Sequence, residues 1–375
     1  MRNPFVTNGY AGAEYFCDRE KETSMMVQML CNENNLALIS PRRVGKTDLI
    51  QHCFAQSEIR NSYHTFLIDI YATHSLSDFV RVLGKAVIET LRSKGRTVWE
   101  KFLQILTSIR SDISFDINGL PSWNIGLGNI PNPTLTLEEI FNFLEQADLP
   151  CLVAIDEFQQ ITYYSDTKDM EAILRTHIQK CTNTHFIFSG SRRHLMNEIF
   201  TSPARPFYQS VTIINLPPIA LDKYIAFATE KFQAAEKTID TDVITDLYQR
   251  FKSTTSCLQR VMNILFMKTP VLGHCSIEML EPAINDLLDY SSESYESILY
   301  QMPEKQRTVF LAIAQEDEAK NISGSTFVKK HKLTSSSSVL SAVKGLLEKD
   351  FITVNQGVYT VYDLFFALWL KRRNS

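Results

Sequence analysis

Residues 36–54 constrain the fold of this chain more than any other stretch. An apolar run, Leu36-Ala-Leu-Ile39, leads into a polar loop, Ser40-Pro-Arg-Arg-Val-Gly-Lys-Thr47. The loop opens an amphipathic segment, Asp48-Leu-Ile-Gln-His-Cys-Phe54. A buried strand, a loop ending Gly-Lys-Thr and a helix make a P-loop, whose backbone N–H groups cradle phosphate at a helix N-terminus. Lys46 would reach the β- and γ-phosphates of a nucleoside triphosphate, and the Thr47 hydroxyl would ligand Mg²⁺. Pro41, Arg42, Arg43, Val44, Gly45, Lys46, Thr47 and Asp48 are the candidate nucleotide contacts. The pattern departs from G-x-x-x-x-G-K-[ST] at one position, where Ser40 replaces the first glycine.

A second apolar run, Cys151-Leu-Val-Ala-Ile155, ends in Asp156-Glu157, about 110 residues further on. Unbroken apolar runs of this length suit a parallel strand covered on both faces. Two acids at such a strand end make a Walker B arrangement: Asp156 would hold Mg²⁺ and Glu157 would act on the attacking water as general base. A third run, His185-Phe-Ile-Phe188, is followed by Ser189-Gly-Ser-Arg-Arg193. If that strand neighbours the P-loop strand, its polar end lies beside the γ-phosphate, because ligands of open α/β sheets bind outside the carboxyl ends of the strands. Otherwise Ser-Gly-Ser is a turn with solvated arginines.

These segments, with Phe16-Cys-Asp-Arg19-Glu20-Lys-Glu22 and Leu67-Ile-Asp-Ile-Tyr71, resemble the boxes of the archaeal-ATPase family in their order. That family lies in the AAA+ superfamily, in the branch related to STAND NTPases. The resemblance spans residues 12–270, with a weaker extension to the C-terminus. It implies an α/β fold with a P-loop parallel sheet, a helical lid and a winged helix. It also implies Mg²⁺-dependent ATP hydrolysis, with ATP held between sheet and lid. It places Arg19 near the adenine, gives the sensor-1 role to Ser189 or Ser191, and matches Arg192 to an arginine that STAND relatives carry after this strand. Glu157, Ser189 and Arg192 are thus the catalytic candidates. Arg192, Arg193 and Arg205 are candidates for an arginine finger. Where relatives carry a Gly-x-Pro-like lid element, this chain has Ser253-Thr-Thr-Ser256, with Arg260 as a sensor-2 substitute.

The 375 residues are 44% hydrophobic and 21% charged, as in a globular chain of two or three domains. No stretch approaches the ~20 consecutive apolar residues of a membrane helix, and the first ten residues lack an apolar signal region. Seven scattered cysteines without C-x-x-C pairs point away from disulfides and zinc and toward a reducing cytoplasm. No protease, nuclease or helicase constellation is present.

The organisation expected is a P-loop core over 1–216, a helical lid over 217–298 and a winged-helix-like domain over 299–375. The opening dozen residues should run extended over the core, and a helix should span 14–32. Alternating apolar residues around Asn118-Gly119 predict an inserted hairpin after a helical stretch at 99–110. Periodic segments 221–232, 241–251, 257–267 and 277–288 predict four lid helices. In the tail, helices at 305–315, 323–331 and 335–349 precede a hairpin, 351–354 with 358–361. Val339, Leu340, Val343, Leu346 and Leu347 should face inward, and Trp369–Arg373 should end the chain in solvent. Eleven Lys/Arg against seven Asp/Glu give residues 299–375 a net +4, which leaves −8 for the remainder of a chain of net −4. A basic tail suits DNA, through Lys329, Lys330, Lys332 and Lys344, but its third helix offers serines where base readout wants Arg, Lys, Asn or Gln. DNA and a protein partner both stay open.

Overall fold

A computed structural model describes residues 2–92, 105, 108, 113–115, 121–123, 130–165 and 167–374. The chain divides into two compact units, Asn8–Ala220 and a second formed by Met1–Thr7 with Leu221–Ser375.

The first unit is built on a parallel sheet of five strands: β1 (Leu36–Ile39), β2 (His64–Asp69), β5 (Cys151–Asp156), β6 (Thr184–Gly190) and β7 (Thr212–Asn215). Their order is β2-β5-β6-β1-β7. Between β2 and β5 lies a small antiparallel pair, β3 (Ile113–Phe115) with β4 (Pro121–Trp123). The hairpin expected there is therefore present, while its Asn118-Gly119 turn and most of the helical stretch at 99–110 lie outside the described residues.

Alternation along the strands sends successive side chains to opposite faces. Leu36 and Leu38 of β1 and Leu152 and Ala154 of β5 join one buried cluster, with Met26, Leu30, Leu49, Ile50 and Cys53. Those partners come from α1 (Glu20–Cys31) and α2 (Lys46–Phe54). Ala37, Ile39, Val153 and Ile155 enter the other cluster, with Phe79, Leu83, Ile140, Leu174, Met196 and Ile199. A short α3 (Ser57–Arg60) extends the first layer. The second is made by α4 (Leu76–Arg92), α5 (Pro133–Glu145), α6 (Thr167–Lys180) and α7 (Arg193–Thr201). The result is a helix–sheet–helix sandwich, and apolar layers on both faces explain why β1 and β5 read as unbroken apolar runs. The first helix is shorter than expected. Asp18 and Arg19 have φ of 59° and 80°, left-handed values that a helix cannot contain, so α1 begins at Glu20.

The second unit starts with four helices: α8 (Leu221–Ala234), α9 (Thr241–Arg250), α10 (Thr255–Lys268) and α11 (Leu280–Gln301). A two-residue parallel pair, β8 (Thr238–Ile239) with β9 (His274–Cys275), ties their loops. Of the opening dozen residues expected over the core, Met1–Thr7 belong to this second unit, while Asn8–Gly12 belong to the first, where the Tyr10 hydroxyl bonds His52 Nδ1 at 2.8 Å. Phe5 is fully buried against Phe227, Phe232 and Phe266. Asn3 Nδ2 donates to the Asn263 carbonyl, and Asn263 Nδ2 donates to the Phe5 carbonyl.

The tail forms α12 (Glu304–Glu316), β10 (Ala319–Lys320), α13 (Ser325–Lys330), α14 (Ser336–Glu348), β11 (Ile352–Asn355), β12 (Val358–Val361) and α15 (Leu364–Asn374). The strands pair in the order β10-β12-β11. Three helices with this sheet are a winged helix. Two expectations are corrected. Leu340 is 53% exposed, because the buried stripe of α14 is Val339, Ala342, Val343 and Leu346, and Leu340 lies off it. The terminal segment is not a solvated end: Phe365, Phe366, Trp369 and Leu370 of α15 are buried, Trp369 Nε1 donates to Ser292 Oγ, and Arg372 pairs with Asp289 at 2.6 Å.

Candidate active site

Three strand ends meet where the P-loop leaves the sheet. β6 lies between β1 and β5, so the carboxyl ends of the P-loop strand and the acidic strand flank the Ser189-Gly190-Ser191 turn. The third run thus neighbours the P-loop strand, and its serines point toward the acids.

The loop turns on two left-handed residues, Arg43 at φ 66° and Gly45 at φ 88°. No atom lies within 4 Å of where a Cβ on Gly45 would sit, so the glycine answers a backbone demand and not a steric one. Gly45 is also the N-cap of α2, and no side chain caps that helix. A helix start of this kind suits an anion. Lys46 is buried, and its Nζ donates to the loop's own carbonyls, Ser40 at 3.4 Å and Pro41 at 3.2 Å. Burial lowers the pKa of this ammonium. The carboxylates of Glu157 and Asp156 oppose that shift, and Arg42 adds to it.

Thr47 Oγ1 donates to Asp156 Oδ2 at 2.5 Å. The other oxygen, Oδ1, accepts from Ser189 Oγ at 2.7 Å and from the Glu157 N–H at 3.0 Å. Ser189 is fully buried and orients Asp156, whereas Ser191 reaches Glu157: its Oγ donates to Glu157 Oε2 at 2.7 Å. Arg42 Nε in turn donates to Ser191 Oγ at 3.2 Å, with the guanidinium 5.4 Å from the Tyr71 ring centre. Glu157 itself has φ 55°. The Asp48 carboxyl, next to Thr47 in the chain, is held above the ordinary range first by burial and then by the Asp156 charge.

The other sequence candidates have partners of their own outside this hydrogen-bonded group. Arg192 donates to the Tyr163 hydroxyl and stacks on its ring. Arg19 is 3% exposed, donates to the Pro217 carbonyl at 2.7 Å and pairs with Glu22 at 3.3 Å. Arg205 pairs at 2.6 Å with buried Glu171 and at 3.5 Å with Glu198. In the second unit, the Arg260 guanidinium lies 4.5 Å from the Phe365 ring centre.

Sequence reasoning missed two residues of the cluster. Asp69 ends β2 in register with Asp156. Desolvation raises its carboxyl, the Tyr71 N–H acts the other way, and Asp156 and Glu157 add to the rise. Gln159 donates its Nε2 to Glu157 Oε2. The signal for Asp69 was its place at the polar end of an apolar strand. For Gln159 it was an amide two positions past the acids, next to Phe158 in the turn that follows the strand.

For a Mg²⁺–nucleotide the residues present fit. The donors that converge, the Thr47 hydroxyl and the Asp156 carboxylate, are hard oxygens suited to Mg²⁺, and Lys46 is held only by loop carbonyls that phosphate oxygens can replace. Among the described residues there is no cluster of three or more His, Cys, Asp or Glu that could hold a metal.

Fold and motifs together define an α/β P-loop fold with a C-terminal winged helix, shared with the solved ATPase and ORC structures below. Residues 293–372 match the family described as a probable winged helix domain. No curated protein matches the chain. Among solved structures it is similar to the Walker-type ATPase of Pyrococcus abyssi, at 17% identity and a TM-score of 0.66, over 98% of this chain and 99% of that one. It is also similar to the ORC1 protein of Aeropyrum pernix, solved in complex with DNA, at 10% identity and a TM-score of 0.55, over 96% and 93% of the two chains. The ORC2 protein of the same organism, solved with ADPNP and ADP, gives 10% identity and a TM-score of 0.53, over 99% and 98%.

Proposed function

We propose that this chain is a Mg²⁺-dependent ATPase that couples ATP binding and hydrolysis to a conformational switch acting on a macromolecular partner. The observation that carries the reading is the convergence of Thr47 and Asp156 at 2.5 Å, with Lys46 behind them and Glu157 beside them. In this reading residues 41–48 cradle the phosphates, and Lys46 leaves its loop carbonyls for the β- and γ-oxygens. Thr47 and Asp156 hold the metal, with Ser189 fixing the carboxylate. Bound Mg²⁺ would neutralise charge on the phosphates. Glu157 takes the proton of the attacking water at Oε1, since its Oε2 already accepts from Ser191 and Gln159. Arg192 remains a catalytic candidate, and Arg19 the residue assigned to the adenine. Among the described residues the seven cysteines form no disulfide, which suits a reducing cytoplasm. Among the described residues no helix is long and apolar enough to cross a membrane.

A second reading, a nucleotide-gated DNA-binding regulator with slow or absent turnover, is favoured by one observation: Lys329, Lys330, Lys332 and Lys344 are all exposed on the winged helix. Turnover separates the two. Glu157→Gln keeps the shape of the side chain but removes the base, so hydrolysis should fall by about 10²–10⁴-fold while ATP binding persists. Normal turnover in that variant moves the base elsewhere. A wild type that binds ATP and never turns it over favours the regulator.

A further inference from the structure

Gln159 is a polar side chain in an apolar place. It is 3% exposed, in the 3-10 turn Phe158–Tyr163 that follows β5, between the fully buried Phe158 and Ile161. Its Nε2 donates to Glu157 Oε2, and its Oε1 has no hydrogen-bond partner. Burying an amide oxygen without a partner costs stability, so an apolar residue of the same size would fold better. The orientation is dictated by the neighbour: a carboxylate only accepts, so the amide must present its N–H₂ and leave the oxygen orphaned. That oxygen lies against the backbone of Gly190. A Cβ at position 190 would overlap both Gln159 Oε1 and Met196 Sδ. The glycine that ends β6 therefore makes the room that lets Gln159 reach Glu157.

The consequence falls on the two oxygens of Glu157. Ser191 and Gln159 both donate to Oε2, and the residue sits in a left-handed backbone conformation, φ 55° and ψ 40°. Oε2 is saturated, and Oε1 has no bond among the described residues. We propose that Gln159 is a positioning residue for Glu157: its buried amide locks the carboxylate in one rotamer and leaves a single oxygen for the attacking water. The proposal rests on Glu157 being the general base.

Two variants test it. Gln159→Met keeps the volume, deletes the donor and removes the orphaned oxygen, so the protein should melt at the same temperature or higher. Its kcat should nevertheless fall about 10- to 100-fold, the range of a lost hydrogen bond to a charged group, with KM for Mg²⁺–ATP little changed. Gln159→Ala should lose as much. In a Glu157→Gln background the same substitutions should cost almost nothing more, because a residue acting through Glu157 is not additive with it. Independently of turnover, the Gln159 side-chain amide proton, assigned in an ¹⁵N spectrum by its loss in Gln159→Met, should lie downfield and move upfield in Glu157→Ala.

An undiminished kcat in Gln159→Met overturns the proposal. So does a loss that is equally large in the Glu157→Gln background, or an amide resonance indifferent to Glu157→Ala. A wild type without turnover sinks the hydrolysis reading instead, and the amide resonance then decides the link between the two side chains by itself.

Discussion

Lys46→Met keeps most of the side-chain stem and deletes the ammonium. In the nucleotide-free chain that ammonium is buried, bonded at 3.2 and 3.4 Å to two loop carbonyls, and its pKa is lowered chiefly by desolvation. A lysine whose folded pKa lies below its unfolded one binds its proton less tightly when folded. Its charge therefore destabilises the fold fully at pH below the folded value, and the penalty is relieved as pH rises through that value toward the unfolded one. Methionine has no such penalty and forfeits only two long hydrogen bonds, one of them to the exposed Pro41. The free protein should melt at the same temperature or a few degrees higher, each 1 kcal/mol being about 2–4 °C in a domain of this size. The rise of wild-type stability at alkaline pH should disappear. Nucleotide affinity should move the other way. Charge-assisted bonds to phosphate are worth about 1.5–3 kcal/mol each, so losing them should weaken Kd by on the order of 10²-fold or more. Thermal unfolding without nucleotide gives the first quantity and calorimetric titration with Mg²⁺–ATP the second. An unchanged Kd would remove Lys46 from the phosphate site. A variant that melts several degrees lower without nucleotide would make Lys46 a structural residue.

Phe5→Ala should destabilise the C-terminal unit by about 3–5 kcal/mol, because it empties a site enclosed by three phenylalanines, and chemical denaturation should show the loss. The DNA-binding reading predicts that the full chain binds duplex DNA at low salt with an affinity that falls steeply as salt rises. Lys329→Glu with Lys332→Glu should weaken that binding for all sequences alike, since neither exposed lysine carries an ion pair among the described residues; no binding at low salt leaves a protein partner.

What could be read ahead of the structure followed a physical rule. Strands buried on both faces and helices with one apolar stripe carry their own signal. The five sheet strands, the four helices after the sheet, and the first three helices and hairpin of the tail were all legible, most within a few residues at their ends. The Thr47–Asp156 pair was legible too, because Thr47 closes the Gly-Lys-Thr loop that follows one apolar run and Asp156 ends another. The contacts that failed to show depend on elements distant in sequence. Phe5 meets residues more than two hundred positions away, and nothing local distinguishes it from any exposed phenylalanine. α15 is apolar almost all round and ends in three basic residues, so it lacks the stripe that marks a docked helix. β8, β9 and β10 are two residues long, too short for any period. Helix α11 carried a readable pattern only to residue 288, since Tyr290 and Tyr300 are exposed and interrupt it.

The one position at which the phosphate-loop pattern fails is explained by the same reasoning applied to the backbone. A glycine is required where φ is positive or where a side chain would collide. Neither holds at Ser40: it is absent from the left-handed residues of the loop, which are Arg43 and Gly45. Its side chain is fully buried and finds a partner, with Oγ donating to the Pro41 carbonyl at 3.2 Å, while its N–H donates to the Gly190 carbonyl at 3.4 Å. Ser40 thus extends the pairing of β1 with β6 by one bond and hands Lys46 a carbonyl, both tasks of the backbone that any residue tolerant of burial can perform. Arg43 bears the strain instead, at about 1 kcal/mol for a side chain in the left-handed region. The loop is specified by where its backbone must turn left, and the sequence meets that demand with one glycine and one arginine.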